Sequence, residues 1–157
     1  MPNSFSNVKP TLVIVDDDPD QLSLFRIAAE RVGTYSRVIT AESGMAALRE
    51  VLAFPDEATE FAPIIILTDV RMPQFNGIDL ARRLHRQLNT PSLRLIAMSN
   101  SCYPPDVEAA LAAGCCAFLQ KPSGFPELKR MVASLPELCH GGEGNQPYVQ
   151  EPAISFA

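Results

Sequence analysis

The chain has 157 residues, a net charge of −5 and a composition that is 46% hydrophobic and 20% charged. Those values fit one globular domain with its own core. The acidic balance argues against a nonspecific nucleic-acid or anionic-membrane role, and no run nears the roughly 18–20 apolar residues of a membrane span. The N-terminal stretch 1–10 is a polar leader without the apolar centre of a signal peptide, so a cytoplasmic location is expected. Four cysteines, Cys102, Cys115, Cys116 and Cys139, show no CxxC spacing. They are expected to be reduced thiols.

The first apolar run, LVIV at 12–15, predicts a strand over 11–16 that ends in Asp16-Asp17-Asp18. Asp18 suits a helix N-cap, Pro19 the first helical position, and Gln21 can complete a capping-box-like pair with Asp18. Leu22, Phe25, Ala29 and Val32 recur at steps of three and four, which predicts an amphipathic helix over 19–32 stopped by Gly33. SRVIT at 36–40 predicts a second strand, and Ser43 caps a helix over 44–53. The stretch 54–63 reads as a loop.

IIIL at 64–67 predicts a third strand ending in Thr68-Asp69. A helix follows at 77–89, with Ile78, Ala81, Leu84 and Leu88 inward and Arg82, Arg83 and Arg86 on a solvated face. LIAM at 95–98 predicts a fourth strand, 93–98, ending in Ser99. Pro104-Pro105 opens a helix that runs to Gly114. AFL at 117–119 lies in a fifth strand, 115–119, that leads through Gln120 to Lys121-Pro122. The last helix begins near Pro126 and runs to about 135. From 136 onward, Gly and Pro without a period read as a tail or linker, on which Tyr148, Ile154 and Phe156 are docking candidates.

Strands alternating with helices predict an α/β fold of βαβ units, with right-handed crossovers and a parallel sheet covered on both faces. The short apolar runs fit strands buried on both sides. In such a sheet, ligands bind beyond the carboxyl ends of the strands. Asp16, Asp17, Asp69, Ser99 and Lys121 all follow strands, so the fold gathers them at one edge. Clustered carboxylates call for a hard cation, and Mg2+ takes one or two carboxylates plus phosphate oxygens. A carboxylate is also a nucleophile toward phosphorus. Lys121 adds positive charge and Ser99 a hydroxyl donor, the parts that phosphoryl transfer requires.

The pieces VDDD, TDVRMPQFNG, AMSNS and AGCCAFLQKP, spread over about residues 10–136, resemble the receiver domain of two-component response regulators. The resemblance implies a flavodoxin-like (βα)5 doubly wound, five-stranded sheet of order 2-1-3-4-5. It implies a leader at 1–10, a receiver at 11–136 and a tail or linker at 137–157. Asp69 becomes the phosphoacceptor for a sensor histidine kinase or histidine phosphotransfer protein. Asp16, Asp17, Asp69 and the backbone carbonyl of Arg71 become Mg2+ ligands. Ser99 and Lys121 become partners of the phosphoryl group, and Ser99 and Phe118 the switch pair. The Lys121–Pro122 bond is usually cis in the family. Arg71 and Asn100 are modulators, and a bulky Asn100 narrows the path of attacking water. The expected chemistry is self-catalysed phosphorylation and dephosphorylation rather than enzymatic turnover on a separate substrate. Output passes by protein contact through the face of helix 4, strand 5 and helix 5, with a homodimer through that face as one option and no nucleic-acid or membrane partner.

Three alternatives stay open at this point. One is a receiver fold used as a constitutive docking module, and another is a receiver module of a longer hybrid kinase or regulator. The third is a haloacid-dehalogenase-type phosphatase, since Asp16-x-Asp18 after the first strand also resembles that family's nucleophile motif, with Asp16 as nucleophile.

Overall fold

The computed structural model describes residues 8–54, 63–88, 92–138 and 147–150. The strands are β1 (Thr11–Val15), β2 (Arg37–Ala41), β3 (Ile64–Asp69), β4 (Leu93–Ser99), β5 (Ala117–Gln120) and β6 (Tyr148–Val149). The helices are α1 (Pro19–Val32), α2 (Gly44–Leu52), α3 (Gly77–Gln87), α4 (Pro104–Ala112) and α5 (Phe125–Leu138). All strand pairs are parallel, in the order β2-β1-β3-β4-β5-β6. The predicted 2-1-3-4-5 order holds, and the sheet carries one strand more than expected.

Alternation along each strand divides the core in two. Val13, Val15, Ile64 and Ile66 point to one side, where they meet Leu48 and Val51 of α2, Leu80 and Leu84 of α3 and Ala110 of α4. Leu12, Ile14, Ile65 and Leu67 point to the other, against Phe25 of α1 and Leu128, Val132 and Leu135 of α5. Every residue of β3 is buried, as a central parallel strand with helices on both faces must be.

Several boundaries differ from the sequence reading. Asp18 does cap α1, but its carboxylate accepts from the Asp20 N–H at 2.9 Å, and no capping box forms with Gln21. β5 starts two residues late, because the Cys115 N–H closes the end of α4 on the Ala110 carbonyl at 3.1 Å. Helix α5 runs three residues past 135, through Pro136. Proline has no N–H, so the Val132 carbonyl loses its helical donor. The Tyr35 hydroxyl donates to that carbonyl instead, from a buried position across the core. A tertiary partner thus carries the helix through a residue that stops it in sequence terms.

The segment read as a tail supplies β6. Ile154, Phe156 and Cys139, the seven N-terminal residues of the leader and most of the 54–63 loop lie outside the described residues. Cys102 and Cys115 are free, but Cys116 is disulfide-bonded, against the expected reduced thiols. Spacing in sequence does not report such a pairing. Among the described residues no helix is long and apolar enough to cross a membrane.

Burial raises the pKa of the Tyr35 phenol and pushes the Cys115 thiol up to about 12. Both groups are neutral in the fold and ionise more readily when unfolded. Their contribution to stability is therefore complete below their ordinary pKa values and is lost as pH rises toward the folded ones. For Cys115 the loss falls between about pH 9 and 12. Urea unfolding at stepped pH is expected to show stability dropping over that window, with a shallower drop in Cys115→Ala.

Candidate functional site

Asp16 follows β1, Asp69 and Ser99 close β3 and β4, and Lys121 follows β5, so parallel register sets their side chains at one edge. The Asp16 N–H donates to the Ala41 carbonyl of β2 at 3.2 Å, which holds its backbone in the ladder line. Its side chain is buried at 1% exposure, whereas Asp17 is exposed. One carboxylate oxygen from each of Asp16, Asp17 and Asp69 lies within 4.8 Å of the others. The Lys121 Nζ donates to Asp16 Oδ2 at 2.8 Å and to Asp69 Oδ2 at 3.0 Å. The other oxygens are engaged by backbone: Asp16 Oδ1 by the Asp18 N–H and Asp69 Oδ1 by the Arg71 N–H, each at 3.0 Å.

These groups line an open pocket of about 560 Å3, shared with Asp18, Gln21, Arg71, Ser99, Asn100 and Ser101. Ser99 is buried, and its Oγ lies 3.4 Å from the Ser101 N–H. Arg71 runs along the rim and ends on Asp106 of α4, with Nη2 to Oδ2 at 2.6 Å. Asn100 is exposed beside Ser99, and its carbonyl accepts from the Gln120 side chain at 3.2 Å. Phe118 is not at the pocket: its ring is fully buried among the residues that face α2, α3 and α4. The peptide bonds of the described residues are all trans, Lys121–Pro122 included, so the cis bond implied by the family is not found.

Gly77, Asp106 and Gln120 shape the site without having been singled out from sequence. A Cβ on Gly77 would lie 2.2 Å from the Asp69 carbonyl and 3.0 Å from Thr68 Oγ1. The first turn of α3 therefore packs directly on the strand end that carries Asp69. Asn76 caps that turn in a full capping box with Asp79. The Asn-Gly pair opening a helix was the available signal, but only the close approach makes glycine necessary.

The electrostatics are uneven. Burial raises the pKa of Asp69 above its ordinary value; bonds from Lys121 and the Arg71 N–H pull it partly back, and the charge of Asp16 adds to the rise. For Lys121, burial acts to lower the pKa, but the hydrogen bonds and charges of Asp16 and Asp69 outweigh it and the net direction is up. The two directions look opposed for an ion pair. They agree once the stoichiometry is counted, because one ammonium faces two carboxylates: its charge is secured and theirs is only half offset. With Asp17 nearby, the cluster has an excess of hard oxygen donors. That donor set fits a small divalent cation such as Mg2+, which favours carboxylate oxygens and keeps several waters.

Comparison with known proteins places the chain. The response regulator receiver domain model matches residues 12–133. The transcriptional regulatory protein KdpE of Mycobacterium tuberculosis is 31% identical over 145 residues, covering 92% of this chain and 59% of KdpE. The chain thus spans about six-tenths of that relative's length. The polar-differentiation response regulator DivK of Brucella abortus is 27% identical over 124 residues, covering 79% of this chain and 94% of DivK. The signal receiver domain of the putative response regulator NarL of Mycobacterium tuberculosis superposes with a TM-score of 0.66 at 28% identity, covering 83% of this chain and 98% of that one. The sheet has the predicted order, and the receiver model matches most of the chain: the protein belongs to the response regulator receiver family, the phosphorylation-dependent switches of two-component signalling.

Proposed function

We propose that Asp69 accepts a phosphoryl group from a histidine of a sensor kinase or phosphotransfer protein and that the modified chain signals by protein contact. The observation that supports this most is the Lys121 ammonium held 2.8 Å from Asp16 and 3.0 Å from Asp69 at the floor of an open acidic pocket. A carboxylate oxygen of Asp69 forms the new O–P bond. The donor's N–P bond breaks, and its electron pair returns to the imidazole nitrogen. Asp16, Asp17, Asp69 and the Arg71 carbonyl would hold Mg2+, which supplies charge neutralisation for the transferring group. Lys121 follows the developing negative charge, and Ser99 Oγ donates to a phosphoryl oxygen. Phe118 already lies inward in the unmodified protein, so we assign the moving part of the switch to Ser99 and Lys121. The reading applies equally to a receiver module within a longer regulator or hybrid kinase.

Incubation with Mg2+ and acetyl phosphate is expected to add one phosphoryl group by intact mass. No adduct with any small phosphodonor would sink the proposal. We further propose that Asn100 and Arg71 at the pocket rim slow the hydrolysis of that group. Asn100→Ala is expected to shorten its lifetime about fivefold, roughly 1 kcal/mol of barrier. A time course of the mass adduct in Mg2+ checks this, and an unchanged half-life removes Asn100 from the account.

A further inference from the structure

The short β6 strand occupies the sheet edge that the β5 side would otherwise expose. Tyr148 donates its N–H to the Cys116 carbonyl at 3.0 Å and Gln150 donates to the Phe118 carbonyl at 2.9 Å. The Gln150 side chain then reaches the site end of the sheet, where its Oε1 accepts from the Gln120 N–H at 3.1 Å. The Gln150 carbonyl accepts from the Cys102 thiol, in the loop before α4, at 3.4 Å. Gln120 is the residue before Lys121, and its side chain donates to the carbonyl of Asn100, the residue after Ser99. The Lys121 N–H itself donates to the Ser99 carbonyl at 2.8 Å. So the segment is tied to the immediate neighbours of the two residues that would grip a phosphoryl group.

The hold is slight. Among the described residues, a ladder two residue pairs long and two side-chain bonds secure the segment, while Tyr148 and Val149 stay partly exposed, at 45% and 39%. A short edge strand with little apolar burial barely offsets the ordering of its own backbone. Gln120 supplies the bond of this set that lies nearest the site.

We propose that residues 147–150 are an autoinhibitory strap: docked on β5 while Asp69 is unmodified, and released when Ser99 and Lys121 are drawn onto the phosphoryl group. Drawing those two residues toward Asp69 carries Asn100 and Gln120 with them, away from Gln150. Release bares the β5 edge between α4 and α5, a row of backbone donors and acceptors open to an extended segment of another protein. The inference rests on the phosphoacceptor reading of Asp69.

Beryllofluoride with Mg2+, a reversible mimic of the phosphoryl group, tests it on the full chain by amide hydrogen exchange. The Tyr148 and Gln150 amides are expected to be protected in the unmodified protein and to lose protection on saturation. Linkage requires the converse, so Gln150→Pro, which removes the ladder N–H and the side-chain acceptor, is expected to bind beryllofluoride about fivefold tighter. Amides that are unprotected at the start or still protected at saturation overturn the strap, as does unchanged affinity in Gln150→Pro. Absence of any beryllofluoride response at the ends of β3 and β4 overturns the phosphoacceptor reading, and the strap coupling with it.

Discussion

The Asp69→Asn protein is expected to take up no phosphoryl group from acetyl phosphate and Mg2+, and to melt at or above the temperature of the parent chain when no divalent cation is present. The first half follows from chemistry. An amide oxygen is a poor nucleophile toward phosphorus, and no other carboxylate in the pocket takes the same position: Asp16 is buried under Lys121, and Asp17 is exposed. The second half follows from the direction of the pKa shift. Burial raises the Asp69 pKa in the fold, so its contribution to stability is present below its ordinary pKa and is lost as pH rises through the folded value. At neutral pH the ionised carboxylate is a burden that Lys121 offsets only in part, because that ammonium is shared with Asp16. Replacing it with a neutral group of the same shape lifts the burden and leaves Lys121 bonded to Asp16. Intact mass and a melting curve on one sample separate loss of the acceptor from loss of the fold. A labelled Asp69→Asn protein would move the phosphoacceptor elsewhere, and a strongly destabilised one would contradict the electrostatic account.

Gly77→Ala is expected to cost about 3 kcal/mol and to depress labelling of Asp69 as well. The added methyl would lie 2.2 Å from a backbone carbonyl, that of Asp69, which has no flexible end to yield. Either α3 or the end of β3 must move. If α3 moves, it leaves Leu80 and Leu84, both fully buried, short of their contacts with the sheet. If β3 moves, the carboxylate of Asp69 shifts from Lys121 and the Arg71 N–H. Urea unfolding and the rate of adduct formation read the two consequences separately. A loss under about 0.5 kcal/mol, the range of an ordinary surface substitution, would show that the helix start yields easily.

Much of this site was legible in the chain because it rests on local regularities. An apolar run of four β-branched or aliphatic residues with a polar residue after it marks both a buried strand and its exit. LVIV before Asp16 and IIIL before Thr68-Asp69 therefore reported strand and site together. The alternation of strands and helices then fixed which sheet edge carries them. Arg71 shows the limit of such reading. Its place on the pocket rim follows from its position two residues after Asp69, but its guanidinium partner, Asp106, lies 35 positions away on α4.

By itself the sequence determined the five consecutive parallel strands, the helices between them and the acidic edge, since each depends on periodicity, caps and strand ends within a few residues. The tertiary structure alone decided the rest, which depends on atoms distant in sequence. Pro136 stands inside α5 because a tyrosine about a hundred positions earlier supplies the missing donor. Gly77 must be glycine because a strand end approaches it. The Lys121 ammonium divides itself between two carboxylates from different strands. And two residues of a Gly- and Pro-rich tail become a sixth strand because the β5 edge has unpaired backbone groups to offer, which hydropathy and turn signals in the tail do not encode.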